Sequence, residues 1–181
     1  MTTTARRTIT DDQGAPLAID PLRFRDTLGH YASGITVITG VDDDGPIGFT
    51  CQSFYSVSVD PPLVSFSVMT NSTTYPRIRE AGRFVVNVLG ADQDGVSSQF
   101  ARKGTDKWAG VDSSVTASGL PIIVDTVMWL ECELWAEHEA GDHFIVVGRV
   151  VDMSLPDWHR AEPLLFFQGR YRRLEELEVP R

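Results

Sequence analysis

The chain, 181 residues long, has little cysteine, little lysine and no long apolar run. Its two cysteines, Cys51 and Cys132, lie far apart and form no Cys-x-x-Cys pair, so neither a disulfide framework nor a zinc site is indicated. Buried, reduced thiols are expected. No stretch approaches the roughly 20 apolar residues that span a bilayer, and the opening MTTTARRTITDDQGAPLAIDP lacks the apolar centre of a signal peptide, so a cytoplasmic protein with no membrane partner is expected. Lysine occurs only at Lys103 and Lys107, against 14 arginines, and the net charge is -9. An acidic chain without a basic stripe disfavours nucleic acid as a partner. The arginine groups Arg77/Arg79/Arg83 and Arg170/Arg172/Arg173 read either as local anion sites or as solvated faces.

The usual catalytic signatures are missing as well. There is no Gly-x-Ser-x-Gly elbow, no His-Glu-x-x-His pair, no phosphate loop and no Gly-x-Gly-x-x-Gly after a strand, which argues against hydrolysis and against a Rossmann sheet. The nearest approach to a metal set is His138, Asp142 and His143 across one tight turn. Three candidates with ordinary hairpin polarity fall short of a metal site, so no metal is expected. His143, directly after Gly-Asp at a strand start, is a candidate substrate contact. Nothing in the sequence marks a nucleophile or a general base.

What is present is mostly period two. Residues 1–19 are read as a flexible arm without periodicity, 20–175 as one domain, and 176–181 as a tail. Asp20-Pro21 is a helix start and Gly34 its expected stop, with Phe24, Thr27, Leu28 and Tyr31 on one face that should pack against the rest of the protein. ITVITGV, the turn Asp42-Asp43-Asp44-Gly45 and the run from Ile47 form a hairpin. A second strand pair breaks at Pro61-Pro62, with Val64, Phe66 and Val68 on one side and Leu63, Ser65, Ser67 and Met69 on the other. The serine face is predicted to be wet or to meet a polar ligand.

Short helices are predicted within TNSTTYPRIREAGRF, with Ser/Thr caps available, Pro76 in the first turn and an end near Gly82, and over ADQDGVSSQFA. Residues 102–119 form a long connection, and loops of that length are often functional. In TVMWLECELWAEHE, Met128, Leu130, Cys132, Leu134 and Ala136 should face in, while Glu131, Glu133 and Glu137 face out. PLLFFQGRYRRL ends the fold as a hairpin around Gln168-Gly169. Eight or nine short strands against three helices predict a mainly β, antiparallel barrel.

The positive chemical signal is neutral. Thr50, Gln52, Ser53 and Ser67 offer hydrogen bonds without charge at strand ends, and NSTTY (71–75) adds hydroxyls at a helix start where a phosphate could bind. The same residues also fit simple capping and strand-edge duty.

In order along the chain, FRDTLGHYASGITVITG, GFTCQSFYSVSVDPPLVSFSV, GRFVVNVLGADQ, DKWAGV, GLPII, GDHFIVVGRV and PLLFFQGRYRRL resemble the short-chain flavin reductases, which supply reduced flavin to two-component monooxygenases. The resemblance implies a split β-barrel, usually a homodimer, that binds FMN or FAD and reduces it with NADH or NADPH. By similarity, Pro46, Ile47, Gly48, Phe49, Thr50, Gln52 and Ser53 would lie along the flavin ring. Ser67, Val68, Met69, Thr73 and Thr74, completed by Gln99 and Phe100, would hold its ribityl and phosphate end. Asp142, His143 and Tyr171 would line the nicotinamide groove. Many relatives carry Asn at the position of Gln52, and CQSF is closer to the branch that serves hydroxylases of aromatic and steroid-derived rings. The competing expectations are an oxidase with tightly held FMN, which would need a basic phosphate grip from Arg77 and Arg79, and a flavin- or haem-binding module with His138 and His143 as ligands.

Overall fold

The computed structural model describes residues 18–158 and 162–175. The arm expected over residues 1–19 lies outside the described residues but for its last two, and so does the 176–181 tail. The elements run α1 (Pro21–Leu28), β1 (Ser33–Gly34), β2 (Thr36–Asp42), β3 (Gly45–Cys51), β4 (Tyr55–Ser58), β5 (Leu63–Met69), α2 (Tyr75–Ala81), β6 (Arg83–Val88), α3 (Asp94–Ala101), β7 (Ser113–Val115), β8 (Pro121–Ile123), β9 (Met128–Ala140), β10 (His143–Met153), β11 (Leu165–Phe167) and β12 (Arg170–Arg172). A single 3-10 turn, Pro156–Trp158, follows β10.

Seven strands form one antiparallel sheet in the order β3-β2-β6-β9-β10-β5-β4. Alternation explains the inner face: Ile38, Val64, Phe66, Val68, Phe84, Val86, Cys132 and Val146 meet in one core. Phe66 sits at its centre, with edge-on contacts to Phe49, Tyr75 and Phe84 at ring-centroid distances of 6.0, 6.2 and 5.4 Å. Gly148 of β10 lies where a Cβ would come within 2.5 Å of Phe84, so only glycine lets β10 pass over that ring. A second core, of Ile35, Val37, Leu89, Phe100, Ile123 and Leu164, joins α3 and the small β1-β11-β12 sheet to the barrel.

The sheet curls until its two flanks meet. Strand β3 forms a ladder with β2 over its whole length, from Thr36↔Cys51 to Asp42↔Gly45. Toward β5 there is no ladder, only side-chain stitches. Ser53, just past β3, accepts from the Ser67 amide at 2.8 Å and donates to the Ser67 carbonyl at 3.0 Å, and Cys51 Sγ lies 3.6 Å from the same carbonyl. This is a split barrel, and the split lies between β3 and β5.

Four expectations are corrected. Helix α1 starts as predicted, with Asp20 accepting from the Arg23 amide at 2.9 Å, but ends at Leu28 instead of running to Gly34. The chain must extend by Ser33 to pair with Phe166, which leaves no room for further turns. No residue of α1 is buried: Phe24, Leu28 and Tyr31 are 52%, 54% and 80% exposed, so the stripe does not pack on the barrel. Glu131 does not face water. It is 2% exposed beside β7 and β8, accepting from Ser118 Oγ at 2.7 Å and paired with Arg83 at 2.6 Å. Two ionic or hydroxyl partners are what makes a buried carboxylate tolerable. On β5, Ser65 is 1% exposed and its hydroxyl has no partner, so that part of the serine face is neither wet nor ligand-facing.

Candidate functional site

The split opens into a cleft of about 490 Å³. One wall is the end of β3 and the residues after it, Phe49 to Ser53; the opposite wall is Ser67 to Met69 of β5. Asn71 to Thr74 and the start of the 102–112 loop close one end, and His143 stands at the rim. A smaller lobe of about 280 Å³ continues past Pro46, Ile47 and Gly48 to Trp108, sharing Thr73, Thr74, Lys103 and Lys107 with the first.

The polar run Thr50-Cys51-Gln52-Ser53 divides by role. Thr50 Oγ1 donates to the Ser97 carbonyl at 2.6 Å and so anchors α3, while Ser53 stitches the split. Cys51 is buried behind them, 3.3 Å from Ser53 Oγ, and burial pushes its thiol up. Those hydrogen-bonding groups are already engaged. Gln52, Ser67, Asn71, Thr73 and Thr74 line the same cleft, and among the described residues no side-chain hydrogen bond ties them. Free neutral donors and acceptors between apolar walls (Phe49, Val68, Met69, Phe100) suit a flat ring with a polar edge.

Gly48 sets the inner wall. A Cβ there would lie 2.8 Å from Phe100 and 3.0 Å from the Ile38 carbonyl, so the close approach of β3 to α3 requires glycine. Its carbonyl accepts from Lys107 Nζ at 2.9 Å. Lys107 is half-buried, and the loss of hydration lowers its pKa below the usual lysine value.

The remaining predicted residues are distributed as follows. Gln99 holds the loop instead of facing the cleft: its side-chain amide donates to the Lys107 and Ala109 carbonyls, each at 2.9 Å. Phe100 backs the cleft floor and meets Trp108 edge-on at 5.0 Å. His143 reaches the rim because β10 pairs it with Met69 of β5, and its Nδ1 lies 2.7 Å from Asp142 Oδ1. That contact holds the Asp142 carboxyl below its ordinary range. Tyr171 does not join them. It lines a separate depression of about 940 Å³ with Phe167 and Leu174, its hydroxyl donating to Ser97 Oγ at 3.0 Å.

Arg77 and Arg79, the expected phosphate grip, are already paired. Arg77 is bidentate on Asp42 and reaches Asp44 at 3.3 Å; Arg79 meets Glu137 at 3.2 Å. The cations that line the cleft without a carboxylate partner among the described residues are others, Arg102, Lys103 and Lys107. Sequence reasoning missed them as site residues, although both lysines of the chain fall within the long connection it singled out. Among the described residues, no group of three His, Cys, Asp or Glu side chains converges as a metal set.

The chain is similar in sequence and in fold to known proteins. The chain is 44% identical over 157 residues to the reductase subunit HsaB of a flavin-dependent monooxygenase from Mycobacterium tuberculosis, covering 87% of this chain and 84% of that protein. It is 41% identical over 150 residues to the FMN reductase (NADH) SmoA of Agrobacterium fabrum, covering 83% and 84%. The solved structure of a Streptomyces globisporus NADH:FAD oxidoreductase in complex with NAD and FAD fragments superposes with a TM-score of 0.83 at 32% identity, covering 96% of this chain and all of that one. The family model described as the flavin reductase like domain matches residues 28–175, and the chain belongs to that family.

Proposed function

We propose that the protein is an NAD(P)H-dependent flavin reductase that reduces FMN or FAD and hands the reduced flavin to a partner monooxygenase. The observation that carries the reading is the cleft at the split, where apolar walls, uncommitted neutral side chains and a cationic end adjoin a rim histidine, while the one thiol in the lining, Cys51, is buried with its pKa raised. Family membership and the names of the relatives support it.

When bound, flavin and nicotinamide supply the chemistry themselves, a hydride passing from one ring to the other. The chain's residues bind, orient and shield. Phe49, Val68 and Phe100 give the flavin ring apolar walls, while Gln52, the neighbouring strand-end backbone and Ser67 satisfy its polar edge. Thr73 and Thr74 hold the ribityl and phosphate end. Pro46, Ile47 and Gly48 shape the adjoining lobe; Gln99 acts by fixing the loop. His143, oriented by Asp142, guides the nicotinamide over the exposed ring face, so that the protein's share of the rate comes from placing two rings at contact distance.

Neutral binding groups suit a flavin that must leave after each turnover. The partner is a flavin-dependent monooxygenase, by analogy with the relatives' names; the CQSF segment favours one acting on aromatic or steroid-derived rings. The unpacked apolar stripe of α1 supports a homodimer. No described helix is long and apolar enough to cross a membrane, and a cytoplasmic site of action goes with the use of NADH.

The test is NADH oxidation by dialysed protein with no flavin, with FMN and with FAD. Activity that appears only with added flavin and saturates with it is the expected result. A yellow colour that survives dialysis would move the reading to an oxidase with resident FMN, and no oxidation with NADH or NADPH would end it.

A further inference from the structure

We infer that Tyr171 is a positioning residue for the flavin cleft, setting its wall and floor from outside through helix α3. The inference rests on the reductase reading and adds to it a residue that touches neither ring.

The first ground is where Tyr171 stands. It lines the separate depression and not the cleft. Strand β12 pairs it with Phe166 of β11, whose ring it meets edge-on at 5.5 Å, and β11 in turn pairs with β1. The ring packs on the second core, and the hydroxyl reaches α3, where it donates to Ser97 Oγ at 3.0 Å and lies 3.1 Å from Ser98 Oγ. A phenol has one proton to give, so with Ser97 as its acceptor the Ser98 hydroxyl is the donor of the second bond.

The second ground is that the depression and the cleft meet at Ser97. Ser97 is 1% exposed, and among the described residues Tyr171 is the one hydrogen-bond partner of its hydroxyl. Its carbonyl accepts from Thr50 Oγ1 at 2.6 Å, and Thr50 belongs to the cleft wall. Tyr171 and Thr50 therefore hold one residue from two sides. One turn further along α3, Phe100 forms the cleft floor, with Ala101 and Arg102 following it into the lining.

The third ground is that α3 has little else to fix it. It is eight residues long, has no side-chain hydrogen bond at its N-cap, and buries only Ser97 and Phe100. A helix that short is held by its contacts more than by its own hydrogen bonds. Gln93 ties the chain before it and Gln99 the loop after it, which leaves the middle to Ser97 and Phe100. Removing the Tyr171 hydroxyl strands a buried Ser97 hydroxyl and favours a shift of α3. Such a shift carries with it the acceptor of Thr50 and the Phe100 ring. His143 is spared, because it stands on β10, paired with β5 across the split.

The experiment compares wild type with Tyr171→Phe, which keeps the ring and deletes the hydroxyl, with Thr50→Val, and with their double variant. Gln52→Ala, alone and combined with Tyr171→Phe, is the reference pair. Flavin binding is read by fluorescence titration with FMN and FAD, and the KM values for flavin and for NADH by steady-state NADH oxidation. Tyr171→Phe should weaken flavin binding about three- to tenfold and raise the flavin KM alike, with the KM for NADH unmoved. The visible spectrum of the bound flavin should shift in the same direction in Tyr171→Phe and Thr50→Val. The double variant should bind flavin no worse than the weaker single, because both changes cut one link, whereas the effects of Tyr171→Phe and Gln52→Ala should multiply. Multiplying effects in the Tyr171 and Thr50 pair, or an equal rise in the KM for NADH, would overturn the inference and leave Tyr171 a structural contact. Unchanged flavin binding in Tyr171→Phe would overturn it as well. Wild type that binds neither flavin and oxidises neither NADH nor NADPH would instead bring down the reductase reading itself.

Discussion

The two sides of strand β3 are built differently. Toward β2 it has a seven-residue ladder, backed by Thr36 Oγ1 donating to the Cys51 carbonyl at 2.9 Å and, behind β2, by the buried Asn87. Asn87 donates to the Val37 carbonyl and Thr39 Oγ1 and accepts from the Ile123 amide, tying β2, β6 and β8 together. Toward β5 there is no backbone pairing at all, only Ser53 and Cys51 reaching the main chain of Ser67. One side is sealed by the backbone, the other closed by a few side chains. A barrel sealed all round would have no cleft, and leaving one seam unpaired frees strand-end groups on both walls for a ligand without opening the core.

Breaking the sealed side should cost the most. Asn87→Ala removes three buried hydrogen bonds and strands the Ile123 amide, a loss of about 3 kcal/mol or more in denaturant unfolding. Flavin affinity of the folded fraction should not change. A drop in affinity matching the drop in stability would mean that the two sides are one unit.

Ser53→Ala acts on the seam. Losing both stitches to Ser67 at a solvent-exposed position should cost about 1 kcal/mol, with a several-fold loss of flavin affinity as the walls loosen. Gln52→Ala sharpens the contrast, because the Gln52 side chain has no hydrogen-bond partner among the described residues: stability should stay within about 0.5 kcal/mol while flavin binding weakens. If Gln52→Ala destabilised as much as Ser53→Ala, the division of the polar run into stitching and free residues would fail.

The smallest effect concerns the rim. His143 holds Asp142 below its ordinary carboxylate value, so the pair's contribution to stability is complete above about pH 4 and is lost as pH falls through the lower folded-state pKa. Asp142→Asn should therefore flatten the acid side of the stability curve slightly and leave the neutral range unchanged. A stability curve that Asp142→Asn left unchanged on the acid side would contradict this.

Much of this fold is legible because strand and turn signals are local. Period two marks β2, β5, β6, β9 and β10, and Asp20-Pro21 marks the start of α1, from neighbours within a few positions. Role is less legible than placement. Thr50, Gln52 and Ser53 look alike in sequence, and only contacts with Ser97 and Ser67, 47 and 14 residues away, separate the committed from the free. Glu131 has the outward parity of a solvated residue, but Ser118 and the β7-β8 hairpin bury it. Arg77 reads from sequence as a candidate phosphate ligand, but its carboxylate partners Asp42 and Asp44 lie across the β2-β3 turn. The lysines are the reverse case. Their rarity and their place in the long connection were visible, but their approach to the cleft depends on how Gln99 folds that loop.

The most direct test of the central claim, that the seam between β3 and β5 is the flavin site, is a crystal structure with FMN soaked in. The account predicts the ring between residues 49–53 and 67–69, with His143 beside its open face and the phosphate against Thr73 and Thr74. A ring bound instead in the larger depression around Tyr171 would contradict it.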